Sequence, residues 1–132
     1  MIVKRMIQGC LVMSVLASFS ALAGNDTSIK GELRSDIQQS MNTFIKSHSV
    51  NGKVFLYDAV KGKLLKLSLD SLHSGIVKKG DFYVSCADFV DQNDRKIDVD
   101  FLVMPGNDGV VATQAIIHSI DGDKRKYHLE NI

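Results

Sequence analysis

Carboxylates and imidazoles are the groups in this chain best able to do chemistry, and their spacing limits what that chemistry is. Asp88 stands in an alternating stretch, Asp81-Phe82-Tyr83-Val84-Ser85-Cys86-Ala87-Asp88-Phe89. If Asn93-Asp94 forms a two-residue turn, Asp88 falls opposite Val99, beside Cys86, on the face carrying Val84, Ile97 and Phe101. An acid on that apolar face loses solvent, its pKa rises, and it is poised for acid–base work. A bulge near the turn swings it to solvent instead, so one residue of register decides its role. His118 shares a strand face with Ile116 and Ile120, and His48 ends a helical apolar stripe. Asp88 with His118 or His48 is therefore the catalytic set that a small hydrolase or isomerase would use.

Other chemistries find less support. The histidines at 48, 73, 118 and 128 make no H-x-H or H-E-x-x-H pattern, so zinc has no local framework. Asp91, Asn93, Asp94, Asp98 and Asp100 supply the hard oxygens that calcium prefers. They fail the calcium-loop pattern counted from Asp91: position five is Arg95, position six is Lys96 and position twelve is Leu102. Asp91, Asp94, Asp98 and Asp100 are the residues to inspect for a metal, but no metal and no cofactor is expected. There is no G-x-S-x-G, no Ser-x-x-Lys and no glycine-rich phosphate loop. Lys124-Arg125-Lys126 is a short basic cluster bracketed by Asp123 and Glu130, which excludes nucleic acid as a partner. Tyr57, Tyr83 and Phe89 are the aromatics to test for ligand contact.

These groups must be positioned by a simple series of elements. Ile29, Leu33, Ile37, Met41, Phe44, Ile45 and His48 recur at steps of three and four, predicting an amphipathic helix of about five turns. Thr27 or Ser28 is its expected cap, and Asn51-Gly52 its terminator. From Lys53 the period changes to two, with Val54, Leu56 and Val60, then Leu65, Leu67 and Leu69, marking half-buried strands. A short paired stretch is expected around Ile76-Val77, then strands over Asp81–Val90, Ile97–Met104, Val110–Ile120 and Lys124–Glu130.

The start of the chain reads as an address. Lys4-Arg5 precedes an apolar run too short to span a bilayer, ending in Ala21-Leu22-Ala23. This predicts a secretory signal peptide over residues 1–23, cleaved between Ala23 and Gly24, with no stable membrane anchor afterwards. The periplasm is the expected compartment, with full secretion second. Cleavage leaves fourteen bases against fifteen acids, and Cys86 as the one remaining cysteine. A lone cysteine in an oxidising compartment is expected to be buried. Seven aspartates lie between Asp81 and Asp108 and six lysines between Lys53 and Lys79, which could form two oppositely charged surfaces.

Asn51-Gly52-Lys53-Val54-Phe55-Leu56-Tyr57-Asp58, the stretch from Asp81 to Phe89, and Asp98-Val99-Asp100-Phe101 resemble small exported bacterial proteins of unknown function. The helix-then-meander order is similar to cystatin-like and NTF2-like domains, in architecture alone. The expected fold is α+β, with one N-terminal amphipathic helix packed on a curved antiparallel sheet of five to six strands joined by hairpins. The expected role is a non-enzymatic binding or interaction domain for a small ligand or a protein partner. A small NTF2-like hydrolase or isomerase and a structural or homodimerising module are the alternatives.

Overall fold

The computed structural model describes residues 24–131; the expected signal segment and its cleavage point lie outside them. One helix, α1 (Gly31–Ser47), precedes β1 (Ser49–Val50), β2 (Lys53–Asp58), β3 (Lys63–Lys79), β4 (Phe82–Val90), β5 (Lys96–Gly106), β6 (Gly109–Ile120) and β7 (Asp123–Lys124). The strands form one antiparallel sheet in chain order, β1 to β7. Five of them are long, and β1 and β7 are two-residue edges, so the α+β architecture is as expected.

The helix starts later than its apolar stripe. Asp26 accepts hydrogen bonds from Ser28 through both the backbone N–H and the hydroxyl, tying off a turn before the helix. Ile29 is buried in that turn, and Gly31 takes a φ of +63°, open to glycine at little cost. Lys30, not Thr27 or Ser28, occupies the cap position, and it makes no side-chain cap bond. Ile37, Met41 and Ile45 form the buried face of α1. At the other end, Asn51 and Gly52 both adopt positive φ, as a tight hairpin turn between β1 and β2 requires.

Two stretches differ from expectation. The segment around His73-Ser74-Gly75 does not interrupt the chain: β3 runs through it for 17 residues. Irregularities between Leu69 and Ser71 and between Leu72 and Ile76 bend it, so its first part pairs with β2 and its second with β4. The last segment is strand only at Asp123–Lys124; the chain then leaves the ladder and ends in a short 3-10 helix, Leu129–Asn131.

The core lies between α1 and one face of the sheet. Val54, Leu65, Leu67, Ile76, Ala87, Phe89, Ile97, Val99, Phe101, Val103, Ala112 and Ile117 pack with the helix residues. Phe44 meets Phe101 edge-on, with ring centroids 5.6 Å apart. The sheet curls enough for Asp58, at the end of β2, to accept a 2.6 Å hydrogen bond from Arg125, just past β7. Among the described residues no helix is long and apolar enough to cross a membrane.

Candidate functional site

The hairpin joining β4 to β5 settles which side chains meet. Asp94 adopts a φ of +59°, and the Asp91 N–H donates to the Arg95 carbonyl at 3.0 Å. Asp91 Oδ1 accepts from the N–H groups of Asn93 and Arg95, while Oδ2 accepts from the Arg95 guanidinium at 2.8 Å. The connection is therefore a five-residue loop rather than an Asn93-Asp94 turn, with Val90 opposite Lys96. Burial pulls the Asp91 carboxyl upward, but the bonds from Arg95 and Asn93 outweigh it and hold the group below its ordinary range.

This loop moves the register by one residue. Asp88 lies opposite Asp98, and Cys86 opposite Asp100. Asp88 is thus not on the apolar face with Phe101 and Ile97. It lies on the other face, away from α1, while Ala87, Phe89, Ile97, Val99 and Phe101 point into the core.

That outer face carries a polar cluster drawn from four strands and the C-terminal segment. His73 Nε2 on β3 is 3.0 Å from Asp88 Oδ1, and Lys96 Nζ is 3.3 Å from Oδ2. Asp98 lies beside them with Oδ1 buried and without a hydrogen bond. Its carboxyl is pushed above the usual range, first by burial; His73 and His118 oppose the shift, and Asp100 and Asp88 reinforce it. Next along β5, Asp100 is fully buried. Its Oδ1 accepts from the Cys86 thiol at 2.9 Å and lies 2.8 Å from His118 Nδ1. Its Oδ2 accepts from the Leu129 N–H at 3.0 Å, with His128 Nδ1 3.8 Å away. The His128 ring stacks on His118 at 4.0 Å. The C-terminal segment is therefore held against the sheet by a buried carboxylate that accepts its backbone.

The expected residues are divided by this arrangement. His118 meets Asp100 and not Asp88. His48 is exposed at the end of α1, stacked on Phe44 at 3.8 Å, on the helix side of the sheet. The histidine beside Asp88 is His73, which the sequence showed only as part of a turn-like tripeptide. Phe89 is fully buried core, Tyr83 packs against the core, and Tyr57 is 66% exposed. The four aspartates inspected for a metal do not converge: Asp91 is spent on its own loop, Asp94 is exposed, and Asp98 and Asp100 project from β5. Of the seven aspartates in the acid-rich segment, Asp88, Asp91 and Asp100 are buried, while Asp81, Asp94 and Asp108 are exposed.

A second feature lies on the helix side. Buried side chains of α1 and the sheet pack against one another beneath the helix, and a groove of about 500 Å³ runs between the outer flank of α1 and the start of β6. Asp36, Thr43, Phe44 and His48 form one wall, and Asp108, Val111 and Thr113 the other.

Comparison with models of known families, with curated proteins and with solved structures finds no match. What fold and site define together is an α+β domain of one helix on a seven-stranded antiparallel sheet, with no family identified.

Proposed function

We propose that this chain is an exported, periplasmic or secreted, non-enzymatic binding domain that takes a small polar ligand in the groove between α1 and β6. The observation carrying this reading is the mixed lining of that groove. Asp36 and Asp108 offer carboxylates, Thr43 and Thr113 hydroxyls, and Phe44 and Val111 apolar contact. Its volume is in the range of small-molecule sites, roughly 300–1,000 Å³. A ligand with cationic or hydroxyl donors and a compact apolar part fits that chemistry. The helix-then-meander order is read as similar to cystatin-like and NTF2-like domains in architecture alone, and no activity is carried over from that reading.

Native mass spectrometry of the mature chain, taken gently from its own compartment, tests the reading. An organic adduct on the wild type that is lost in Thr43→Trp, which fills the groove, is the expected result. A clean mass, or an adduct unchanged by Thr43→Trp, overturns it.

A second reading, an interaction surface for a protein or a second copy, draws on the β2–β3 hairpin. Tyr57, Val60 and Leu64 are 66%, 67% and 57% exposed there, with Tyr57 directly opposite Leu64. A doubled native mass that reverts to the monomer in Tyr57→Lys would favour it.

A further inference from the structure

The outer face of the sheet gathers sulfur, imidazole nitrogen and carboxylate oxygen in one place, on the side opposite the groove. Cys86 Sγ, a carboxylate oxygen of Asp100 and a ring nitrogen of His118 all lie within 4.8 Å of one another. The three residues are only 2%, 0% and 4% exposed. They project from the neighbouring strands β4, β5 and β6, which hold donor atoms more firmly than loops would. We propose that Cys86, Asp100 and His118 bind a single divalent transition-metal ion of the zinc class, with the stacked His128 ring beside the remaining coordination position.

The donor set decides the kind of ion. Calcium and magnesium take oxygen ligands, whereas thiolate, imidazole and carboxylate together suit zinc at roughly 2.0–2.3 Å. Charge also favours it. A thiolate and a carboxylate neutralise a divalent cation, so the loaded site is buried with no net charge from these groups. Geometry favours it as well. The Cys86 thiol donates to Asp100 Oδ1, and His118 Nδ1 approaches the same oxygen. Three donor atoms already converge where an ion would stand in for the shared hydrogens.

Binding would be linked to protons. The Cys86 S–H bond breaks, its proton leaves to solvent, and the sulfur keeps the electron pair it donates to the metal. His118 binds as neutral imidazole with its proton on Nε2, releasing a further proton only if it starts as imidazolium.

A neighbouring trio, His73, Cys86 and Asp98, shares the same sulfur, its donor atoms also within 4.8 Å of one another. It is the weaker choice because His73 and Asp98 are only half-buried and His73 Nε2 is engaged with Asp88. The two trios make opposite predictions about His73.

The test is an anaerobic titration of the reduced mature chain with Co2+, followed by competition with Zn2+. The expected result is one ion per chain and a sulfur-to-cobalt charge-transfer band. The band is lost in Cys86→Ser and retained in His73→Gln. Affinity falls in His118→Gln by more than the roughly 10–100-fold that outer partners of a metal site cost. Zn2+ should also raise the melting temperature of the wild type and not that of His118→Gln. If Cys86→Ser does not fold, proton release from the wild type on adding Zn2+ is read instead, at about one to two protons per ion. Absence of binding by folded, reduced wild type, binding without proton release, or a band lost in His73→Gln but kept in His118→Gln overturns the proposal.

Discussion

Strands β4 and β5 present two faces built from alternate residues of the same two stretches, and the faces are buried by different means. Toward α1, Ala87, Phe89, Ile97, Val99, Phe101 and Val103 meet apolar helix side chains. Away from α1, Cys86, Asp88, Asp98 and Asp100 meet histidines, a lysine and the backbone of the C-terminal segment. Apolar side chains gain from leaving water whichever apolar neighbour they find, so the first face needs only shape and volume. Polar groups lose hydration on burial and regain it only through particular partners, so the second face depends on who meets whom.

The comparison can be tested from its largest expected effect downward. Phe101→Ala, on the helix side, should cost about 3–5 kcal/mol in urea unfolding, from lost burial and the cavity beneath Phe44. A loss near zero would mean that this face is not the main source of stability. Asp100→Ala, on the outer face, should cost about 2–4 kcal/mol, because the Cys86 thiol and the Leu129 N–H lose their acceptor. Its particular signature is early release of the C-terminal segment, read as faster amide exchange at Leu129 than in Phe101→Ala. Equal exchange in the two variants would erase the distinction between the faces.

Asp91→Ala removes the acceptor that shapes the loop setting both faces, and should cost about 1–3 kcal/mol at neutral pH. Because the folded carboxyl is held below its ordinary value of 3.8, its contribution is fully present above that pH. It disappears as pH falls through the lower folded value. Stability curves of wild type and variant should therefore converge in strong acid, and a constant gap across pH would count against this account.

Asp98→Asn is the smallest effect and has the opposite sign. The Asp98 carboxyl is raised above 3.8 in the fold, so the folded chain binds more protons there, and stability falls as pH rises from 3.8 through the raised value. The amide removes that fall and should leave the chain slightly more stable at neutral pH in a thermal melt. A less stable amide variant would show that the ionised carboxylate has a favourable partner after all.

Much of the helix side was legible before any coordinates. Ile37, Met41 and Ile45 follow a 3.6-residue period that admits few other readings, and Asn51-Gly52 declares its turn by residue type alone. The outer face was not legible, and the cause is local. Reading Asn93-Asp94 as a two-residue turn placed Asp88 opposite Val99, on the wrong face. The buried Asp91 side chain instead binds two N–H groups and the Arg95 guanidinium, favouring a longer loop. A period of two turns that one-residue error into an exchange of faces. The end of the chain was misread for a related reason, since the charged run Lys124-Arg125-Lys126 reads as a short exposed edge strand while Leu129 is drawn onto Asp100.

By itself, then, the sequence determined that one amphipathic helix precedes a series of antiparallel strands, because periodicity and turn residues act over a few positions. Only the tertiary structure decided that His73, Cys86, Asp100, His118 and His128 share one face, since strand order and register join residues far apart in the chain. Hydrophobic pattern specifies which side of a strand is buried. Which polar groups are buried together depends on every turn between them.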